Sequence, residues 1–237
     1  MPLHLTLHRR VRTAVTPSPH VLEVAAMFGL GIDEQRELDI IPPTRLTLAP
    51  HHLVFVTGPS GSGKSSLLQL IAEQTRPREE IHLIRFDQLP APADRPLVDL
   101  FGEPANPPLK QVLRWLSLAG LNDAFVMLRT PAELSDGQRY RLRLARTIAA
   151  VEQAVAAGDA RTPLVLADEF GATLDRLTAA ILARNVRKWV THTPVIFVAA
   201  TTHDDLLEPF APDVLIEKPL GPAVHVWRRG EDDKVTR

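Results

Sequence analysis

The sequence predicts an α/β fold with three parts: a core built on a mostly parallel sheet, an N-terminal antiparallel β-subdomain, and a short inserted helical subdomain. Three observations predict it. Continuous apolar runs recur at Leu53-Val54-Phe55-Val56, Leu164-Val165-Leu166-Ala167 and Val195-Ile196-Phe197-Val198-Ala199. Such runs read as strands covered on both faces, as in a parallel sheet. Stretches with helical period follow the first two, at Ser66 to Glu73 and Leu177 to Trp189, and another runs from Arg139 to Ala150. Alternating segments, Leu3/Leu5/Leu7 and Arg45-Leu46-Thr47-Leu48-Ala49, precede the first run and read as half-exposed strands. A chain of 237 residues is long enough for one such domain with a sizeable core.

Composition narrows the function. Hydrophobic residues make up 45% of the chain, as in a globular protein, and the formal net charge is -1. That balance gives no strong nucleic-acid signature. There is no cysteine, which excludes a disulfide framework, a zinc-thiolate site and a thiol nucleophile. No run approaches the about eighteen apolar residues of a membrane span. The N-terminus lacks the apolar stretch of a secretory signal. The expected location is cytoplasmic, with any membrane association made through a partner.

In chain order, Arg9, Arg10 and Arg12 read as a solvated segment, followed by a turn or linker at Thr16-Pro17-Ser18-Pro19. Val21-Leu22-Glu23-Val24-Ala25 reads as a strand, broken at Met27 to Gly31. Residues 20–57 are thus expected to hold an antiparallel flap and the first core strand. Phe28 has two readings, a core residue or a face on which an adenine stacks. His51 and His52 read as turn residues, with no third ligand nearby to suggest a metal.

Gly58-Pro59-Ser60-Gly61-Ser62-Gly63-Lys64-Ser65 sits between a strand and a helix. That context makes G-x-x-x-x-G-K-S a phosphate site. Glycines let successive N–H groups turn inward as an anion nest, and the helix N-terminus adds its positive end. Lys64 is suited to the β- and γ-phosphates and Ser65 to Mg²⁺. Ile81 to Phe86 is the next strand, and Asp87 or Gln88 at its end either reaches Mg²⁺ and the attacking water or is an ordinary turn residue. The core is expected at 58–89 and 138–227, interrupted by a helical subdomain over 90–137. There Leu109, Val112, Leu113 and Leu116 keep helix spacing between Pro104, Pro107, Pro108 and Pro131.

Ser135 is placed to cap the helix that begins near Arg139, and such an opening presents N–H groups to an anion. Arg139, Arg143 and Arg146 on that helix read as a solvated face or a partner surface. Asp168 and Glu169 end a buried strand, where two carboxylates suit Mg²⁺ binding and activation of water. His203 follows another strand end on the ligand side and is placed to sense a γ-phosphate. Val214 to Ile216 and Val224 to Trp227 close the sheet, and 230–237 read as a disordered charged tail.

Taken in order, these motifs resemble the ATP-binding cassette (ABC) ATPase family of the P-loop NTPase superfamily. The phosphate loop runs from Gly58 to Ser65. The signature L-S-G-G-Q appears as Leu134-Ser135-Asp136-Gly137-Gln138, and the Walker B strand runs from Leu164 to Asp168. The resemblance makes Glu169 the catalytic base, Ala172-Thr173-Leu174-Asp175 the D-loop, His203 the switch histidine, Phe28 the adenine-stacking aromatic and Gln88 the Q-loop residue. It implies ATP and Mg²⁺ as cofactors. Catalysis would rest on Glu169, His203, Lys64 and Gln88. Metal binding would rest on Ser65, Asp168 and Gln88. Nucleotide would meet Phe28, residues 58–66 including Ser66, and Ser135, Gly137, Gln138 and Asp175.

It further implies a head-to-tail dimer with a second ABC subunit, expected to be identical, in which one phosphate loop faces the other chain's Ser135 and Gly137. The work driven would be transport with separate membrane chains or action on a soluble partner. A weakly active or inactive ATP-binding module is the third expectation. Departures from the pattern are Asp136 in place of a glycine, Phe170-Gly171 after the catalytic Glu, a short interval from Lys64 to Ser135, and extra residues from Val151 to Arg161.

Overall fold

The computed structural model describes residues 2–13, 16–31, 36–101 and 107–230. Its first two strands, β1 (Leu3–Thr13) and β2 (Arg36–Leu48), form an antiparallel ribbon with Leu5 opposite Leu46 and Leu3 opposite Leu48. Alternation turns Leu3, Leu5 and Leu7 inward with Ile41, Leu46 and Leu48, all buried. The antiparallel part therefore begins at Leu3, well before residue 20.

The expected strand at Val21 to Ala25 is instead helix α1 (Pro19–Met27). Ser18 Oγ accepts a hydrogen bond from the Val21 N–H at 3.3 Å, and Pro19 stands at the first helical position. The segment expected to be a linker is a helix start. Only Ala25 of α1 is buried, so its apolar residues are not the inward face of a strand.

The core sheet has the order β4-β5-β6-β3-β7-β8. Its strands are β3 (Leu53–Thr57), β4 (Ile81–Arg85), β5 (Thr162–Ala167), β6 (Ile196–Ala200), β7 (Val214–Glu217) and β8 (His225–Arg228). All neighbours pair parallel except β7 and β8, which pair antiparallel. Successive side chains take opposite faces. Val54, Val56, Leu164, Leu166 and Val198 join the ribbon and α2 (Lys64–Thr75) in one core. Phe55, Val165, Ala167, Phe197 and Ala199 join the helices of the other face in a second. Covering on both faces is why β3, β5 and β6 carry the continuous apolar runs.

That second layer holds α3 (Leu109–Leu118), α4 (Ala124–Met127), α5 (Asp136–Ala156), α6 (Arg176–His192) and α7 (Leu207–Phe210). Pro107 and Pro108 end just where α3 begins, and α3 buries Val112, Trp115 and Leu116. The extra residues from Val151 extend α5 by more than a turn. There the Glu152 carboxylate accepts from Trp115 Nε1 at 2.7 Å and Trp189 Nε1 at 3.1 Å, and also from Gln111 and Arg114. One side chain thus ties α3, α5 and α6 together. The expected tail at 230–237, from residue 231 on, and the break at Pro104 lie outside the described residues.

Candidate functional site

The phosphate loop joins β3, the strand between β6 and β7, to α2. Gly58, Gly61 and Gly63 have φ of 145°, 74° and 104°, backbone that other residues rarely adopt. Gly58 also has no room for a side chain, because a Cβ there would lie 2.1 Å from the Lys218 carbonyl oxygen. Gly63 ends the loop as the residue before α2, so the first N–H groups of α2 open toward the loop. Lys64 folds back over it, donating from Nζ to the carbonyls of Gly58 (2.7 Å) and Pro59 (2.9 Å). Burial pushes the Lys64 ammonium below the usual lysine pKa, and the charges of Asp168 and Glu169 oppose that shift.

The acidic wall comes from the end of β5. Asp168 Oδ1 accepts from the Glu169 N–H at 3.0 Å. Glu169 sits at φ 51°, a left-handed conformation that is uncommon outside glycine and is held only where its surroundings enforce it. The next two residues supply the enforcement. The Phe170 N–H donates to the Ala200 carbonyl at 2.8 Å, and its buried ring meets Tyr140, Phe197 and Phe210 with centroids 6.0, 6.3 and 4.8 Å away. The Gly171 N–H donates to the Tyr140 hydroxyl at 3.0 Å. The unusual Phe170-Gly171 pair is therefore the anchor that aims Glu169.

Between these walls lies a cavity of about 470 Å³. One side is Ser60, Gly61, Gly63, Lys64, Ser65 and Ser66, and the other is Asp168, Glu169, Ala172, Thr201 and Thr202. An ammonium and helix N–H groups on one side and two carboxylates on the other suit a polyphosphate chain carrying a hard divalent cation. The oxygen donors Ser65 and Asp168 fit Mg²⁺. Among the described residues no cluster of three His, Cys, Asp or Glu side chains is placed to hold a metal by itself.

Gly58, Pro59 and Ser62 build the loop without lining the cavity, and the Ser62 hydroxyl is buried with no hydrogen-bond partner. Thr201 and Thr202 were missed from the sequence. Their signal is a pair of hydroxyls at the end of the buried run of β6. His203 is half-buried one residue beyond, outside the cavity lining, and its N–H donates to Thr201 Oγ1 at 3.2 Å. Gln88 is exposed, outside the cavity lining, and borders a groove with Arg76 and Arg85. β4 is the edge strand, with β5 and β6 between it and β3, and its end curls into a 3-10 turn over Phe86–Gln88. Asp87 turns back onto Arg85 at 3.0 Å. The core reading of Phe28 also fails, because that ring is 74% exposed at the end of α1.

The signature residues form a separate surface. Ser135 and Gln138 make a reciprocal cap on α5: Ser135 Oγ accepts from the Gln138 N–H at 3.3 Å, and Gln138 Oε1 from the Ser135 N–H at 3.0 Å. Gly137 lies against the 172–175 turn, where an added Cβ would be 3.4 Å from Leu174 Cδ2. Asp175 caps α6, accepting from the Thr178 N–H at 2.9 Å. None of Ser135, Gly137, Gln138 and Asp175 lines the cavity of its own chain. The Asp136 carboxylate is paired with Arg139 Nη2 at 2.7 Å. The arginine face is not simply solvated: Arg143 lies over the Phe86 ring at 5.5 Å, and Arg146 donates to the Pro90 carbonyl at 2.8 Å.

Comparison with known proteins adds to this geometry. A family model described as ABC transporter matches residues 42–99. An uncharacterized ABC transporter ATP-binding protein of Methanocaldococcus jannaschii is 28% identical, over 78% of this chain and 72% of that protein. The aliphatic sulfonates import ATP-binding protein of Pseudomonas fluorescens is 34% identical, over 67% of this chain and 60% of that protein. For several of the curated relatives it matches, the chain spans 55% to 63% of their length. A dimeric ATP-binding cassette in a post-hydrolysis state, bound to ADP and phosphate, superposes with a TM-score of 0.56 at 19% identity, covering 82% of this chain and 93% of that one. No helix among the described residues is long and apolar enough to cross a membrane. Motif order, cavity and relatives agree: along most of its length the chain is similar to the ATP-binding proteins of ABC transporters.

Proposed function

We propose that this chain binds ATP with Mg²⁺ between the phosphate loop and Asp168–Glu169, and hydrolyses it to ADP and phosphate within a head-to-tail dimer of two cassettes. The observation that carries the reading is the convergence of Lys64, Ser65, Asp168 and Glu169 on one cavity from the ends of two parallel strands. Lys64 exchanges two loop carbonyls for phosphate oxygens. Ser65 and Asp168 hold Mg²⁺, which supplies charge neutralisation at the phosphate oxygens. Glu169 accepts a proton from the attacking water. Thr201 fixes the backbone of the segment bearing His203, the residue proposed to sense the γ-phosphate. Ser135 and Gly137 stand outside their own cavity, which supports completion of the site by a second copy. The neutralised Asp136 is compatible with an incoming phosphate.

The first use we assign to this ATPase is that of a nucleotide-binding subunit serving separate membrane chains. What supports it is that relatives are named as import and lipoprotein-releasing ATP-binding proteins. The test of the chemistry is direct. Glu169→Gln is expected to keep ATP binding while turnover falls at least about a hundredfold, the usual contribution of a general base. A parent protein that binds no ATP, or a variant that turns over at the parental rate, ends this reading.

A further inference from the structure

Lys218 is fully buried. It directly follows β7, and its N–H donates to the carbonyl of Thr57, the last residue of β3, at 2.8 Å. Its own carbonyl oxygen fills the space that keeps position 58 a glycine. Its side chain then runs behind the phosphate loop, with Cε 3.6 Å from where a Cβ on Gly63 would sit. Nζ donates to the carbonyls of Pro219 (2.9 Å) and Gly221 (2.5 Å). Among the described residues no carboxylate pairs with it. Burial, unopposed by any neighbouring charge, pushes its pKa below the usual lysine value.

A buried cation without a counter-ion destabilises a fold, and an apolar chain of the same length would serve packing better. The cation is nevertheless kept at the back of an anion nest. A second buried polar group, near it in the loop, has no hydrogen-bond partner at all. The Ser62 hydroxyl makes no hydrogen bond and sits 3.2 Å from where a Cβ on Gly58 would lie. The cation without a counter-ion lies against the eight-residue loop, and the unpartnered hydroxyl lies within it.

We propose that Lys218 is a second cation of the nucleotide site, whose counter-ion is the polyphosphate bound on the opposite side of the loop. This rests on the ATP-binding reading above. Lys64 acts by contact, whereas Lys218 acts through the loop as a positioning residue, holding the glycine backbone in shape and adding one fixed positive charge behind it. Two properties follow. The benefit scales with the charge of the ligand, so ATP gains more than ADP. Because the charge is buried, the benefit survives salt that would screen a surface lysine.

The experiment is calorimetric titration of the full chain and of Lys218→Met with Mg²⁺-ATP and with Mg²⁺-ADP, which carries one negative charge fewer, at low and high salt. Loss of one buried charge is expected to weaken ATP about tenfold and ADP about threefold, with the difference kept at high salt. The melting temperature of the nucleotide-free variant should not fall. Equal affinities for variant and parent, or equal weakening of ATP and ADP, would make Lys218 a strut for the 219–221 turn and leave the ATP-binding reading standing. A parent that binds neither nucleotide removes both. If Lys218→Met does not fold, the unaltered protein answers by NMR. The Lys218 ¹³Cε signal should move on adding ADP and further with ATP, and a signal indifferent to both overturns the proposal.

Discussion

At the scale of single residues the site is set by where side chains are forbidden. Gly58 and Gly61 both need positive φ, yet only Gly58 faces a backbone atom, the Lys218 carbonyl oxygen, while nothing lies within 4 Å of a Cβ at Gly61. Gly58→Ala should therefore lose about 3 kcal/mol or more, since the strand end must move, whereas Gly61→Ala should lose about 1 kcal/mol from φ alone. Urea unfolding midpoints of the two variants check this, and equal losses would refute it. The phosphate loop was legible because its glycines, lysine and serine are consecutive. The reason for Gly58 was not, because the atom that excludes a side chain belongs to a residue far along the chain. Glu169 shows the same limit. Its type and place at a strand end were readable, but its left-handed backbone depends on Phe170 packing against Tyr140, Phe197 and Phe210.

At the scale of elements, periodicity found the buried strands and most helices, and it failed where an element is barely buried. α1 has one buried residue, so its apolar positions carry no usable period, and the Ser18-Pro19 start was the better guide. The extension of α5 beyond Val151 had no local explanation either. It becomes intelligible only through Glu152, whose partners Trp115 and Trp189 lie thirty-seven residues away on either side. Glu152→Ala would leave two indole N–H groups and Arg114 without their acceptor. We expect a loss of about 3 kcal/mol, with the larger part restored in Glu152→Gln, which keeps one acceptor oxygen. Denaturation followed by tryptophan emission measures it, and an unchanged midpoint in the alanine variant would show the tie to be idle.

At the scale of the whole molecule, the cavity and the signature surface lie apart on one chain and are expected to meet only between two. Glu169→Gln with saturating Mg²⁺-ATP should double the mass seen by light scattering, and ADP should return it to one chain. A mass that stays monomeric would remove the head-to-tail dimer. The mostly parallel character of the sheet was legible from its apolar runs. The strand order was not, because it depends on which runs meet in space. That order carries a last consequence. β3 bears the phosphate loop, and both its neighbours, β6 and β7, are among the last strands in the chain. A chain made from its N-terminus leaves the phosphate-bearing strand with two open edges until residues 196–200 have emerged, and with one until residues beyond 214 have. Such distant pairing forms slowly, and open edges invite mispairing in the meantime. The nucleotide site should thus be among the last features to mature during synthesis.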